Sequence, residues 1–465
     1  MAFAGTGCKK FLDREPISSS TEDNFYKNTA DVETGVIGCY AALRNVYKDD
    51  PILAGLRSDD SYIADSESDI NLIDGFKEGP TNSYVAQYWQ DAYYAIKQCN
   101  TVLKYIDRAG DTTQRKYFEG EARFIRAHMY FNLVRLWGDV PLVTTDVAYN
   151  DTTYYRRISK DLVYNQIIAD FTAAMQKLPA AWDPTEIGRV TNYAAKGMLA
   201  KVYLTQKNYT ASRTLLQDLI DNPGAYALQA SYKGIFGLRN EMNNEIMYAV
   251  RFKSNSNGTG ENYTYNMDKV SGSVGYRSAG DFRGTSLWPA ADSIRKSATF
   301  STGGIYGSDY YNVAKYQDPT AAKNDAGADF IVLRYADIIL MYAEVVNEID
   351  GAPTSATSPS LVQLNRIRQR ANPAAGTLVY LYTSTAVKTQ DAFRATIKSE
   401  RRREFGIEDQ RWYDLLRWND AVTAMNAHFS YRNTGISIQS YQTLYPIPQR
   451  EIDISGHIIT QNTGY

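Results

Sequence analysis

The sequence predicts an all-α fold: a tetratricopeptide-like scaffold of helical pairs, an α-α superhelix, carrying long irregular loop insertions. Three observations lead there. Phe118, Ala122, Ile125, Met129, Leu133 and Leu136 recur at spacings of 4, 3, 4, 4 and 3, which is one face of a helix. Between residues 193 and 220 a helix rich in small residues, a short break and a second amphipathic helix follow in turn, the unit of a tetratricopeptide pair. The stretch 251–316 holds 9 Gly, 10 Ser and 11 aromatic residues without a sustained helical period.

Composition narrows the function classes. The chain has 465 residues, 44% apolar and 22% charged, as in an ordinary globular protein. With 50 Lys+Arg against 52 Asp+Glu, it offers nucleic acid no electrostatic footprint. No run of 18 apolar residues is present to span a bilayer as a helix. Three Cys and three His, all far apart, argue against a structural zinc site or a disulfide framework. Tyrosine is the unusual number, 37 against 16 Phe, with 6 Trp besides. An apolar ring with a polar tip suits half-wet surfaces and interfaces.

Taken in order, the chain opens Met1-Ala-Phe-Ala-Gly-Thr-Gly-Cys8-Lys-Lys-Phe-Leu12. A basic start and a 7–15-residue apolar run are missing, but small residues ending in Gly-Cys match the last part of a bacterial lipoprotein signal. Cys8 is then the lipidated residue; the other reading is a cloning remnant followed by a buried Cys. Tyr84 to Leu103 reads as a helix, and the 118–136 stripe stops at Gly138 and Pro141. In the pair that follows, Ala194, Gly197 and Ala200 allow close helix approach, Asn208-Tyr209 marks the break, and Ala211–Ile220 resumes the period. Val332, Ala336, Ile339, Ala343 and Val346 make a further stripe. Ser358-Pro359 starts another helix as N-cap and first residue, with Leu361, Leu364 and Ile367 apolar. Gln390 to Arg417 also reads as helical. One unit, 1–465, is expected, with 1–20 as tether, 21–250 and 330–465 as helical parts, and 251–329 as a loop-rich aromatic insertion. Such an excursion is where binding function sits, unless its aromatics only pin it to the helices.

Catalytic patterns are sparse. No Gly-x-Ser-x-Gly elbow, P-loop, His-Glu-x-x-His or Gly-x-Gly-x-x-Gly occurs in a strand–turn–helix setting. His128, beside Met129 and Tyr130, reads as a packing histidine, and His428 and His457 have no acidic or Cys companion at ligand spacing. Asp59-Asp60 and Glu119/Glu121 could hold glycosidase carboxylates, a chemistry set by separation in space. The charge run Glu400-Arg-Arg-Arg-Glu404, answered by Glu408, Asp409, Arg411, Asp414 and Arg417, reads as an internal salt-bridge lattice over Trp412, Leu415 and Trp418.

Seven segments in this order resemble the SusD/RagB family of outer-membrane lipoproteins of Bacteroidetes-type bacteria. They are Gly-Cys8-Lys-Lys-Phe-Leu-Asp13, Trp89 through Asn100, and Glu121-Ala-Arg-Phe-Ile-Arg-Ala-His128 closing in Trp137-Gly-Asp-Val-Pro-Leu142. Gly188-Arg189-Val-Thr follows, then Leu333 to Glu344 with Leu364-Asn365-x-Ile-Arg368-x-Arg370-Ala371, and then Glu400–Trp418. The last is Tyr445-Pro-Ile-Pro448 through Glu451 to Gln461-Asn-Thr463-Gly-Tyr465, with Thr463 where the family has Pro. The resemblance implies a non-enzymatic, cofactor-free lipoprotein on the cell surface, lipid-anchored to the outer membrane. It would capture glycan for a SusC-like TonB-dependent transporter. The 251–316 stretch matches the family poorly, so no ligand list is carried over. A surface glycoside hydrolase and a tetratricopeptide scaffold for protein partners are the alternatives.

Sugar rings stack on aromatic faces, and neighbouring polar groups satisfy their hydroxyls. Trp288, Tyr276 and Tyr306 are therefore the expected platforms, with Asp281 and Arg283 as polar partners. Asp60 and Tyr62, in the loop of the first helical region, form a second candidate set. The competing reading for each is a surface Tyr or a local ion pair. Trp288 precedes Pro289, which biases it toward extended backbone.

Overall fold

The computed structural model describes residues 22–63, 68–147, 152–256, 258–262, 264, 276–284, 287–301, 312–316, 318, 321–322, 325–372 and 381–465. Cys8, Tyr306 and the side chain of Tyr276 lie outside the described residues.

The first half is a ladder of helices: α1 (Glu22–Phe25), α2 (Thr29–Asp50), α3 (Asp69–Asp74), α4 (Ser83–Lys104), α5 (Thr112–Trp137), α6 (Lys160–Lys177), α7 (Asn192–Thr205) and α8 (Tyr209–Asp221). From α4 to α8 each long helix packs on the next, while α2 packs on α4 and α5. Polar caps fix the starts: Asn82, Asp111, Thr191 and Asn208 accept amide hydrogens from the first turns of α4, α5, α7 and α8. Gly138, at φ +75°, ends α5 as the sequence predicts. Helix α5 is buried on nearly all sides, because α4 and α6 flank it. Its polar residues are accordingly paired inside. Arg126 donates twice to Asp170 of α6 and once to Asn100 of α4, each at 2.8 Å. His128 bridges Tyr47 and Tyr248 hydroxyls at 2.7 and 3.0 Å, and burial holds its pKa well below the usual value.

Among the described residues, four two-stranded antiparallel sheets interrupt the helices: β1 (Ser61–Ile63) with β5 (Tyr276–Ser278), β2 (Val140–Pro141) with β3 (Arg157–Ile158), β4 (Ile246–Val250) with β8 (Phe330–Arg334), and β6 (Phe300–Ser301) with β7 (Asn312–Val313). Val332 thus belongs to a strand and not to the helical stripe assigned to it. A fully buried strand whose apolar run is only Phe330–Leu333 has no period to tell strand from helix. The short helices α9 (Gly280–Arg283) and α10 (Ser293–Thr299) lie within the excursion. The second half continues with α11 (Tyr335–Asp350), α12 (Pro359–Ala371), α13 (Gln390–Phe405), α14 (Gln410–Trp418), α15 (Ala421–Tyr431) and α16 (Gln449–Ile454). Helix α11 packs on α8 and α12, extending the ladder. The expected 390–417 helix is two helices, broken where Ile407 and Asp409 take left-handed backbone at φ +62° and +54°. Ser358 is not a side-chain cap; its Oγ accepts from the amides of Thr354 and Ser355.

The Glu400–Trp418 lattice is present and mostly buried. Arg334, at the end of β8, donates to Glu245, Glu404 and Glu408 at 2.6–3.0 Å. Arg295 of α10 binds Asp292, Glu400 and Glu404, and Lys315 binds Glu408 at 2.7 Å. Burial alone would raise Glu404, but Arg370, Arg334 and Arg295 outweigh it and hold the carboxyl well below its ordinary range. Both Arg295 and Lys315 come from the excursion, so these charges fasten it to the scaffold.

Candidate functional site

Strands β1 and β5 bring together two regions more than 200 residues apart in sequence. Ser61 pairs with Ser278, Tyr62 with Arg277 and Ile63 with Tyr276, and the Asp60 carbonyl accepts the Ala279 amide at 2.8 Å. The two candidate sets, Asp60/Tyr62 and Tyr276/Asp281/Arg283, therefore occupy one location. Helix α15 completes it. Its last residue, Tyr431, is 63% exposed, and its ring lies against Gly280, where an added Cβ would sit 3.2 Å from it.

Charged groups surround these rings. The Arg432 guanidinium lies 4.3 Å from the centroid of the half-buried Tyr62 ring and 3.3 Å from the Asp74 carboxylate. Burial pushes the Asp74 carboxyl up, against the pull of Arg432. His428 Nδ1 is 3.1 Å from Asp281 Oδ2, and Arg432 Nη1 is 3.4 Å from His428 Nε2. Arginine can only donate, so Nε2 accepts and Nδ1–H donates to Asp281. The result is a surface with an exposed ring, a second ring under a cation, and a part-exposed carboxylate oriented by histidine.

Trp288 is not a platform. It is 3% exposed, its indole N–H donates to the Phe282 carbonyl at 2.7 Å, and its ring packs on Phe282 and Phe300 with centroids 5.7 and 5.8 Å apart. With Phe282 and Phe300 it belongs to the main hydrophobic core, which continues from the helices into this loop. Phe282 in turn leaves Gly406 no room for a side chain, since a Cβ there would meet its Cζ at 2.2 Å. Asp60 is also unavailable: it is 3% exposed and accepts from Arg402 Nε at 2.8 Å. Asp59 takes two bonds from Arg411, at 2.7 and 2.9 Å; burial would raise its pKa, but Arg402 and Arg411 hold it far below. Asp59-Asp60 is thus an ion-pair anchor. Glu121 is bonded by Arg189 and Tyr40, and Glu119 by Arg123 and Lys177. Asp281 and Tyr62 remain at the face, and both, like Arg283, are partly exposed.

Sequence reasoning missed Tyr431, Arg432, His428 and Asp74. His428 lies in the last turn of α15 and Arg432, four residues on, is its C-cap, a spacing that places them on a common face. His428 does have an acidic companion, Asp281, 147 positions away in sequence. Among the described residues no group of three His, Cys, Asp or Glu side chains could hold a metal ion, and no helix is long and apolar enough to cross a membrane.

A family model described as the SusD family matches residues 20–465. The SusD-like protein P2 of Formosa agariphila is 27% identical over 506 aligned positions, covering 99% of this chain and 97% of that protein. A SusD homologue from Bacteroides thetaiotaomicron superposes with a TM-score of 0.81 at 22% identity, covering 96% of this chain and 98% of that one. Surface glycan-binding protein A from the same organism, in complex with laminarihexaose, gives 0.74 at 22% identity, covering 94% and 99%.

Proposed function

The chain belongs to the SusD family, and on that premise we propose that it binds glycan at the cell surface as a lipoprotein of the outer membrane, held through Cys8. We further propose that it passes its cargo to a SusC-like TonB-dependent transporter. The observation that carries the binding reading is the face formed by Tyr62, Asp281, Tyr431 and Arg432. The C–H face of a sugar can stack on the exposed Tyr431 ring, while Arg432 and Asp281 bond hydroxyls that would otherwise lose water unpaired. Such an open face suits a polymer, whereas a small molecule is usually held in an enclosed pocket. That the structure of a protein of the same fold is a complex with laminarihexaose supports a glycan as cargo. No catalysis is assigned: the paired acids Asp59-Asp60 are buried and bound by Arg402 and Arg411.

A glycan array on the purified chain tests the reading, followed by calorimetry of the best ligand against Tyr431→Ala. The expected result is saturable binding that weakens by about 1–3 kcal/mol, the range for a base stacked on an aromatic side chain, with an unchanged melting temperature. An array with no binding, or new reducing ends released from a bound polysaccharide, would overturn it.

A further inference from the structure

A second cleft, about 530 Å³ in volume, lies where α5, α7 and α14 end and α6 begins, and shares no lining residue with the Tyr62–Tyr431 face. That size falls within the roughly 300–1,000 Å³ of small-ligand sites. Three of its cations are without an ion pair among the described residues. Lys160 and Lys207 stand exposed, and Arg135 is held between the rings of Phe131 and Tyr413, at 3.8 and 3.6 Å. Arg135 spends Nε on the Phe131 carbonyl and Nη2 on Asn132, and Nη1 has no acceptor among the described residues. Arg417, also in the cleft, is already satisfied by Glu344 and Asp414.

Opposing charge comes from Asp161, from Asp139, whose carboxylate accepts the Lys160 amide at 2.8 Å at the start of α6, from Asp50 near Arg135, and from three helix C-termini worth about half a negative charge each; no ion pair among the described residues joins these groups to the three cations. An independent feature points to a ligand. Tyr164 lines the cleft, is only 8% exposed, and its hydroxyl has no hydrogen-bond partner among the described residues. The ring is thus buried while the hydroxyl stands at the cleft wall, where it can donate to a ligand. Thr205, Gln206 and Asn419 add groups that can bond hydroxyls in either direction.

We propose that this cleft is a second binding site, for a small sugar bearing one anionic group, a carboxylate or a sulfate ester. The anion meets Arg135 Nη1, Lys160, Lys207 and the Tyr164 hydroxyl. The sugar part of this assignment rests on the glycan-binding reading above.

Calorimetry of the whole soluble chain with glucuronate, glucose 6-sulfate and glucose tests it, and the ranking of the two acidic probes identifies the anionic group. At least one acidic sugar should bind about tenfold or more tighter than glucose. Lys160→Ala combined with Lys207→Asn should abolish that preference without altering the melting temperature; asparagine tolerates the left-handed backbone of position 207, at φ +60°. Tyr164→Phe should weaken the acidic sugar about fivefold, the loss of roughly one hydrogen bond. Equal binding of glucose, no binding of either acid, or a preference surviving in the double variant would overturn the proposal. Tyr431→Ala should leave acidic-sugar binding intact. Failure of the surface-glycan reading therefore shows in the array and with Tyr431→Ala, and failure of the cleft shows in the double variant.

Discussion

Trp288 and Tyr431 share the chemistry of an aromatic ring and differ in their access to water, 3% against 63% exposed. Trp288→Ala should therefore lower the urea midpoint, by about 3–5 kcal/mol of stability for an aromatic removed from a core. Tyr431→Ala should leave the midpoint unchanged and act on glycan affinity alone. A third residue, Asp50, sets a pH dependence. Burial pushes its carboxyl up to about 6, despite bonds from Tyr88 and Tyr413 and the nearby Arg135. The folded state then holds this proton more tightly than the unfolded chain, whose ordinary value is about 4. Asp50 consequently costs stability progressively as pH rises from about 4 to about 6. Asp50→Asn should raise stability at pH 8 by roughly 3 kcal/mol, two pKa units' worth, and change little at pH 3.5. Urea titrations at both pH values check this; equal effects at the two would refute it.

Among the elements, α5, α7 and α8 follow from local period and caps, and the structure has them where the sequence puts them. Long-range pairing was not legible in the same way. β8 is a strand because β4 supplies its hydrogen bonds, and β4 lies 80 residues earlier. The break between α13 and α14 is likewise set from a distance. Gly406 abuts Phe282, and the turn beyond it places Glu408 against Lys315 and Arg334. That lattice is where element stability should be most sensitive. Arg334→Met would leave Glu404, Glu408 and Glu245 sharing fewer cations, a change that costs about 3–5 kcal/mol for a buried pair. Thermal unfolding should show it as a lower melting temperature. A variant as stable as the parent would mean that the glutamates find replacement partners.

For the whole molecule, the proposed site was half legible. Tyr62, Asp281 and Arg283 were named from composition and sugar chemistry, and β1–β5 pairing joins them. Their partners on α15 were not, because a sequence does not say which face of a helix the fold leaves uncovered. Trp288 misled for the same reason: burial is a property of the assembled chain. Anchoring is tested at this scale too. Full-length protein carrying Cys8→Ala should leave the outer-membrane fraction and appear soluble, since stable attachment needs more than one acyl chain. Retention after salt washing, in cells lacking the transporter, would refute the anchor. Finally, the chain departs from β4 and re-enters at β8, strands bonded side by side, with Val250 opposite Phe330. The intervening segment is thus a plug inserted into a finished socket: it can lengthen, shorten or change chemistry while the socket keeps its dimensions. Any exchanged plug must still present cations where Arg295 and Lys315 stand, because the socket keeps Glu400, Glu404 and Glu408 waiting for them. The segment must also keep the β5 edge that pairs with β1, so its freedom to vary is bounded by charge and by strand pairing together.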